Sequence, residues 1–191
     1  MAVLGAVVVR DRSGDRGGWV GVLRPGDASP DFVLRDAQGK DVRLSSFSGK
    51  PIVLYFYPKD HTPGCTLEAK RFRDAYEDIA SHGAVVVGVS LDSSDSHCDF
   101  QERHGIPFHL LSDVDGRVHD LYEAWRTTLL GKTSLGVRRC TYLIDGDGII
   151  RKAYARVNVL THANQVVQDL ARLDAQKQWG KKDARLKDLQ P

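Results

Sequence analysis

Short apolar runs alternate with amphipathic segments along the middle of the chain. Two of the runs, 51–57 and 84–91, are continuous and rich in β-branched and aromatic residues, which is typical of strands buried on both faces of a sheet. Residues 66–82, between them, carry apolar side chains at helical spacing, and Gly83 follows as a stop signal. The pattern therefore predicts a strand, a helix and a second strand in succession.

The same alternation continues on both sides of this unit. The further predicted elements are a hairpin of 32–34 and 42–44, a helix over 94–104 capped by Ser93 or Ser94, a strand over 108–111, a helix near 117–125, a hairpin of 141–144 and 149–154, and a helix from Thr161 to Leu173. Strands that alternate with helices, with hairpins at both ends, predict an α/β fold with a mixed central sheet flanked by helices.

The length of the chain, 191 residues, suits one domain with short appendages. Residues 1–21 end in a stretch rich in Arg, Asp and Gly, and we interpret them as a flexible N-terminal arm. Residues 22–173 form the predicted domain, and residues 174–191 form a charged tail.

Composition excludes several classes of protein. The net charge is +2, from 27 Lys and Arg against 25 Asp and Glu, so there is no basic excess for nucleic acid or a membrane surface. No apolar run reaches the 18 or so residues of a membrane span. Three cysteines do not make a disulfide framework, and no basic residue precedes the apolar run 2–9 as in a signal peptide. These features predict a cytoplasmic protein.

The segment 58–66 is the strongest candidate for chemistry. It leaves a buried strand, turns through two prolines and a glycine, and opens a helix at or near Cys65. Free N–H groups and the positive end of the helix dipole stabilise a thiolate at that position, and the thiolate is the nucleophilic form of cysteine. The local pattern alone leaves two interpretations open, a reactive cysteine and a small buried hydrophobic residue.

The residues around Cys65 match a known signature. Pro58, Thr62 and Cys65 have the P-x-x-x-T-x-x-C spacing of the peroxiredoxins, and the wider string FYPKDHTPGCTLEA is similar to the PrxQ, or bacterioferritin comigratory protein, subfamily. Supporting segments follow in family order: Gly26-Asp27 with Pro30-Asp31-Phe32, Gly88-Val89-Ser90, Leu110 to Asp113, Gly136 to Asp145, and His162. The chain between the two tails thus resembles a thiol peroxidase of thioredoxin-like fold with an N-terminal β-hairpin.

The resemblance implies a role for each matched residue. Cys65 would be the peroxidatic cysteine, whose thiolate attacks the peroxide and becomes sulfenic acid. Thr62 would present its hydroxyl to thiolate and peroxide, and Pro58 would shield the pocket from water. Arg139 would stabilise the thiolate and the departing oxygen, assisted by the backbone N–H groups of Gly64 and Cys65.

The resolving cysteine departs from the pattern of the subfamily. Many members place it five residues after the peroxidatic one, where this chain has Lys70. Others place it on the helix after the second buried strand, about one turn beyond Cys98. If Arg139 faces the active site, strand alternation turns Cys140 to the opposite face. Cys98 is therefore the expected resolving residue, and the alternative is an external thiol.

The resemblance implies reduction of hydrogen peroxide and organic hydroperoxides without metal, haem or flavin. Thioredoxin is the expected reductant and a monomer the expected assembly. Two alternatives remain: a peroxidase reduced by a small thiol, and a redox-sensing or binding module without turnover. The seven histidines have no metal-ligand spacing with the cysteines, and we interpret His97 and His104 as surface residues.

Overall fold

The computed structural model describes residues 23–127 and 134–187. Its strands are β1 (Val33–Asp36), β2 (Asp41–Arg43), β3 (Ile52–Phe56), β4 (Val85–Ser90), β5 (His109–Ser112), β6 (Trp125–Thr127), β7 (Ser134–Val137), β8 (Cys140–Ile144) and β9 (Ile150–Tyr154). Its α-helices are α1 (Pro63–Asp74), α2 (Tyr76–Ser81), α3 (Ser94–His104), α4 (Arg117–Leu121) and α5 (His162–Lys187), and a short 3-10 helix covers Leu44–Phe47. The predicted arm, 1–21, lies outside the described residues.

Seven strands form one sheet in the order β2-β1-β5-β4-β3-β8-β9. Strands β3, β4 and β5 run parallel, whereas β1, β2, β8 and β9 join the sheet through antiparallel pairs. The prediction of an α/β fold with a mixed sheet and an N-terminal hairpin is confirmed. In the part of the chain that the structure describes, β6 and β7 form a separate two-stranded sheet that the sequence analysis missed.

Strand β3 is buried on both faces, as its composition predicts. Ile52, Leu54 and Phe56 belong to one hydrophobic core, which also contains Val118 of α4. Val53 and Tyr55 point to the opposite core, which contains residues of α1, α2, α3 and α5. The period-two alternation of side chains along a strand divides the two cores. Cys65 belongs to the second core and Cys140 to the first.

Three predicted helices have different bounds in the structure. The helix predicted over 66–82 is two helices, because Ala75 turns the backbone to φ −95° and ψ 5°, outside the helical region. Helix α4 is shorter than predicted, because the residues from Trp125 pair with β7 instead. The final helix does not end at Leu173 but continues to Lys187, since residues 174–187 lack proline and are rich in strong helix formers.

Two strand pairings bring distant parts of the sequence to one edge of the sheet. Strand β8 runs antiparallel to β3, so that Cys140 at its start pairs with Phe56 at the end of β3. Strand β4 runs parallel to β3, and therefore the loops after both strands emerge at that same edge. No helix within 23–127 and 134–187 combines the length and apolar character needed to cross a membrane.

Candidate active site

Cys65 lies in the first turn of α1, as predicted. Thr62 precedes the helix in extended conformation, with φ −77° and ψ 147°, and Pro63 occupies the first helical position, where its fixed φ suits the helix and no N–H is lost. The Cys65 side chain is only 2% exposed. Its sulfur therefore lies in a nearly closed site near the unpaired N–H groups of a helix N-terminus.

Arg139 contacts the sulfur of Cys65. Its Nη2 donates a hydrogen bond to Cys65 Sγ at 3.1 Å. The pairing of β8 with β3 explains the contact, because Arg139 immediately precedes Cys140 at the edge where β3 leads into α1. A Cβ atom built on Gly64 would lie 3.6 Å from Arg139 Nη2, so the guanidinium passes directly over the backbone of Gly64.

Glu68 is the second partner of Arg139. It lies one helical turn after Cys65 with its side chain 1% exposed, and Arg139 Nη1 donates a hydrogen bond to its Oε2. Burial raises the pKa of Glu68 to about 7, although the neighbouring guanidinium opposes the rise. Burial also disfavours the charge of Arg139, but Glu68 and Cys65 outweigh it and hold the pKa of Arg139 above its ordinary value. Arg139 thus remains a cation between two acidic groups.

Thr62 and Pro58 lie on the loop between β3 and α1. The Thr62 hydroxyl donates a hydrogen bond to the carbonyl oxygen of Lys59 at 3.0 Å. The hydroxyl proton is thereby engaged by that carbonyl, and the oxygen of Thr62 keeps its lone pairs for a donor. Pro58 is exposed at the start of the loop. The signature residues are therefore gathered at one end of β3.

The two remaining cysteines differ in their surroundings. Cys98, on α3, is partly exposed, and its thiol donates a hydrogen bond to Glu102 Oε1 at 3.6 Å. Partial desolvation and the carboxylates of Glu102, Asp95 and Asp99 raise the pKa of the Cys98 thiol. Cys140 is fully buried in the opposite core, and burial raises the pKa of its thiol to about 12. The predicted orientation of Cys140 is confirmed, and all three cysteines are free.

Lys70 lies on a groove beside the active site. The groove, about 490 Å³ in volume, runs between α1 and the end of α3, and its lining includes His61, Lys70, Arg103 and His104. Burial and the nearby cations Lys70, His61, Arg103 and Arg73 lower the pKa of His104. The groove is therefore a positively charged surface close to Cys65.

The family of the chain follows from comparison with known proteins. The model of the AhpC/TSA family matches residues 25–153. The chain belongs to this family. The chain is 43% identical to peroxiredoxin Bcp of Bacillus subtilis (strain 168) over 146 residues, which cover 76% of this chain and 93% of the relative. It is 46% identical to the chloroplastic peroxiredoxin Q of Sedum lineare over 131 residues, which cover 68% of this chain and 67% of the relative.

Solved structures place the peroxiredoxin in the same group. Peroxidoxin BcpB of Mycobacterium tuberculosis superposes with a TM-score of 0.71 at 36% identity, over 78% of this chain and 97% of that one. Peroxiredoxin Q of Xanthomonas campestris gives 0.70 at 32% identity, over 74% and 90%. The resemblance and the thioredoxin-like fold are thus confirmed. The protein is a thiol peroxidase, which disfavours the alternative of a module without turnover.

Three residues near the site were not predicted from the sequence. Glu68 follows Cys65 at helical i, i+3 spacing, and a carboxylate at that spacing in the signature string is a usable signal. Asp60 and His97 are 2% and 0% exposed and form a hydrogen-bonded pair. The placement of His97 on the surface was wrong, because its ring is buried beside Asp60. His97 lies three residues before Phe100, and residues at this spacing share one face of a helix. The apolar Phe100 therefore places His97 on the inner face of α3.

Proposed function

We propose that this peroxiredoxin reduces hydrogen peroxide and organic hydroperoxides with Cys65 as the nucleophile. The observation that carries the proposal is the 3.1 Å hydrogen bond from Arg139 to Cys65 Sγ at the N-terminus of α1. A guanidinium and free N–H groups favour the thiolate over the thiol. Cys65 is the one cysteine of the three with both features.

In the first step the Cys65 thiolate attacks one peroxide oxygen and the O–O bond breaks. The sulfur gains a hydroxyl and becomes sulfenic acid, and the leaving oxygen takes up a proton to give water or an alcohol. Arg139 stabilises the negative charge that moves onto the leaving oxygen, because its planar guanidinium presents several donors in a fixed geometry. Glu68 holds that guanidinium in place from its far side.

Thr62, Gly64 and Pro58 complete the proposed site. The oxygen of Thr62 accepts the hydrogen bond of the peroxide O–H, since its own proton is engaged by Lys59. The backbone N–H groups of Gly64 and Cys65, in the first turn of α1, add donors for developing negative charge. Pro58 shields the pocket from water.

We propose that Cys98 resolves the sulfenic acid. The Cys98 thiol attacks the Cys65 sulfur, the hydroxyl leaves as water, and a disulfide forms. Thioredoxin, the reductant expected from the family resemblance, then reduces this disulfide to two thiols and becomes oxidised. The partial exposure of Cys98 and the burial of Cys140 in the opposite core support this choice. We further propose that the enzyme works as a monomer in the reducing cytoplasm.

The charged groove favours a second candidate for the reductant. Lys70 and Arg103 line a space next to the first turn of α1, where a small thiol that carries carboxylates would be attracted. Such a thiol would attack the Cys65 sulfenic acid directly, release water and form a mixed disulfide, and a second molecule of the thiol would release Cys65. The raised pKa of Cys98 is consistent with this route as well.

The test is peroxide consumption by the whole chain with thioredoxin, thioredoxin reductase and NADPH, in the native sequence and in three variants. Cys65→Ser abolishes turnover, because a serine hydroxyl is not ionised at neutral pH. Cys98→Ser loses turnover but still consumes one peroxide per chain. Cys140→Ser, the matched control, behaves like the native protein.

Peptide mapping of the oxidised protein without reductant locates the bond. A link from Cys65 to Cys98 supports resolution by Cys98, and a link from Cys65 to Cys140 contradicts it. Turnover of Cys98→Ser at the native rate with a small thiol such as glutathione establishes the second candidate instead. Retention of more than a few per cent of activity by Cys65→Ser overturns the assignment of the nucleophile.

A further inference from the structure

Asp60 is a buried carboxylate with several donors. Its Oδ1 accepts a hydrogen bond from Tyr57 Oη at 2.7 Å, and its Oδ2 accepts bonds from Ser96 Oγ and His97 Nδ1, both at 2.8 Å. Burial raises the pKa of Asp60, but the bonds from His97, Tyr57 and Ser96 outweigh it and hold that pKa below its ordinary value. We call these four residues the Asp60 cluster.

The Asp60 cluster joins the two segments that carry the reacting cysteines. Asp60 belongs to the loop that leads into α1 and Cys65, whereas Ser96 and His97 lie in α3 immediately before Cys98. Both segments follow parallel strands, β3 and β4, so they meet at one edge of the sheet. A further hydrogen bond joins the two segments. The backbone N–H of Asp60 donates to Asp92 Oδ2 at 2.9 Å, and Asp92 lies just before α3.

His61 forms a third, more exposed contact between the same two segments. Its ring packs edge-on against Phe100 of α3, with centroids 5.2 Å apart, and its Nε2 lies 3.3 Å from Asp99 Oδ2. The backbone of His61 has φ 59°, which residues other than glycine adopt rarely. Contacts with α3 therefore accompany a strained backbone position in the loop before Cys65.

Formation of a Cys65–Cys98 disulfide requires the contacts between these two segments to break. A disulfide needs Cα atoms within about 7 Å and side chains that point toward each other. Cys98 instead points outward to Glu102, while Cys65 is enclosed under Arg139. The first turn of α1, the first turns of α3 or both must unwind, and opening of α3 would turn Cys98 inward. Unwinding separates Ser96 and His97 from a carboxylate that stays behind on the other segment.

We propose that the Asp60 cluster sets the rate at which α3 opens and thereby the lifetime of the Cys65 sulfenic acid. His97 and Ser96 are positioning residues for the resolving step, and this inference rests on the proposed role of Cys98. Two reactions compete for the sulfenic acid. Cys98 converts it to a disulfide with loss of water, and a second peroxide oxidises it to sulfinic acid and is itself reduced to water or an alcohol. A tighter cluster prolongs the exposure of the sulfenic acid to the second reaction.

The chain provides a matched control for this proposal. Asp113 and His119 form a second Asp–His pair, with both side chains 0% exposed and 2.6 Å between Oδ2 and Nδ1. His119 packs against Phe56 and Trp125, in the region of α4 and the opposite core. Substitution there disturbs a buried Asp–His hydrogen bond of the same kind, and the ring of His119 contacts Phe56 and Trp125 instead of α3.

The experiment compares His97→Phe, Ser96→Ala and His119→Phe in the full chain. Ser96 is partly exposed, so Ser96→Ala keeps the fold even where a buried histidine is not replaceable. Two rates are measured after reduction. One is hydrogen exchange of the α3 amides in the reduced protein, and the other is disulfide formation after one equivalent of hydrogen peroxide, followed by quenched alkylation and mass spectrometry.

We expect His97→Phe to speed both the α3 exchange and disulfide formation by about tenfold, since a lost hydrogen bond to a buried charge has an effect of that order. Ser96→Ala produces a smaller change in the same direction. Both variants form less sulfinic acid than the native protein under excess peroxide. His119→Phe leaves the α3 exchange and the disulfide rate unchanged relative to the rest of the chain.

Three results overturn the proposal. One is native-like α3 exchange in both His97→Phe and Ser96→Ala, and another is faster exchange without faster disulfide formation. The third is an equal effect of His119→Phe, which indicates general destabilisation. Failure of the proposed function is separate, because it appears as the absence of a Cys65–Cys98 disulfide in the native protein. The exchange measurement needs no disulfide and is readable in either case.

Discussion

Arg139 donates a hydrogen bond to the sulfur of Cys65 across 3.1 Å, although 74 positions separate the two residues in the sequence. The contact depends on the antiparallel pairing of β3 with β8, which places the start of one strand beside the end of the other. The same guanidinium is held from its other side by Glu68. A guanidinium held by Glu68 beside the sulfur is suited to a reaction in which negative charge passes from sulfur to oxygen.

Replacement of Arg139 is expected to slow the first chemical step. Arg139→Ala lowers the rate constant for Cys65 oxidation about a hundredfold or more, the usual effect of losing a donor to developing charge. Arg139→Lys recovers only part of the rate, because one ammonium cannot replace the forked contact with Cys65 and Glu68. Rapid mixing with peroxide, followed by mass spectrometry of the sulfenic acid, measures the rate.

Arg138→Ala is the control, since it removes the same charge one residue away. Its expected rate lies within about threefold of the native rate, as for most substitutions away from a site. Equal losses in the two variants would assign the effect to net charge instead of the contact with sulfur.

The raised pKa of Glu68 predicts that the unfolding free energy of the protein depends on pH. Its folded-state pKa of about 7 lies above its ordinary value of 4.5. The carboxyl therefore contributes stability that is fully present below about pH 4.5 and is lost as the pH rises through 7. The difference between the two pKa values corresponds to roughly 3 kcal/mol. Glu68→Gln cannot ionise, so its unfolding free energy relative to the native protein increases over this interval.

Urea denaturation at about pH 5 and about pH 8 measures the difference in unfolding free energy. Glu77→Gln, which replaces an exposed carboxylate on α2, is the control and changes the unfolding free energy by less than about 0.5 kcal/mol at either pH. A fall in the unfolding free energy of Glu68→Gln relative to the native protein between about pH 5 and about pH 8 would contradict the raised pKa.

The sequence was sufficient for the fold class and most elements, because these depend on local patterns. Pro58, Thr62, Cys65 and Arg139 were named together only through the resemblance to the peroxiredoxins, and their roles stay predictions. Asp60 and His97 could not be paired from the sequence. Their contact depends on which faces two separate segments present after β3 and β4 align in parallel. The spacing of His97 and Phe100 places His97 on the inner face of α3, but it does not show which carboxylate the ring meets there.

The break at Ala75 and the small sheet of β6 and β7 were also outside the reach of pattern analysis. Phe72 and Ile79 are both fully buried, and they satisfy helical spacing over 66–82 closely enough to hide the break between α1 and α2. Strand β6 has three residues and pairs with an irregular register, so it carries no clear alternation.

Cys140 is expected to resist alkylation in the folded protein. Its side chain is 0% exposed and burial raises the pKa of its thiol to about 12, so that at about pH 8 only one thiol in ten thousand is ionised. Iodoacetamide labels the partly exposed Cys98 and leaves Cys140 free until denaturant is added. Peptide mass spectrometry gives the labelled fraction at each cysteine. Labelling of Cys140 at a rate equal to that of Cys98 would show that the core around β8 opens readily.

Gly88 is expected to tolerate no side chain, although it lies in a regular strand. It pairs with Tyr55 on one side and Leu110 on the other, and both side chains lean across it. A Cβ atom at Gly88 would lie 2.7 Å from Tyr55 Cζ and 2.8 Å from Leu110 Cδ2, which is too close for carbon atoms. Gly88→Ala therefore forces the sheet or the Tyr55 ring to move and lowers the unfolding free energy by about 1–3 kcal/mol.

Gly64→Ala separates this steric effect from the general effect of replacing glycine. A Cβ atom at Gly64 meets only Arg139 Nη2, at an ordinary contact distance of 3.6 Å, and the residue lies within a helix. Its expected unfolding free energy equals or exceeds that of the native protein, because alanine favours the helix by up to about 1 kcal/mol over glycine. Urea denaturation measures the unfolding free energy of both variants. Equal unfolding free energies of Gly88→Ala and Gly64→Ala would contradict the prediction, because they would show that the side chains of Tyr55 and Leu110 move aside without loss of stability.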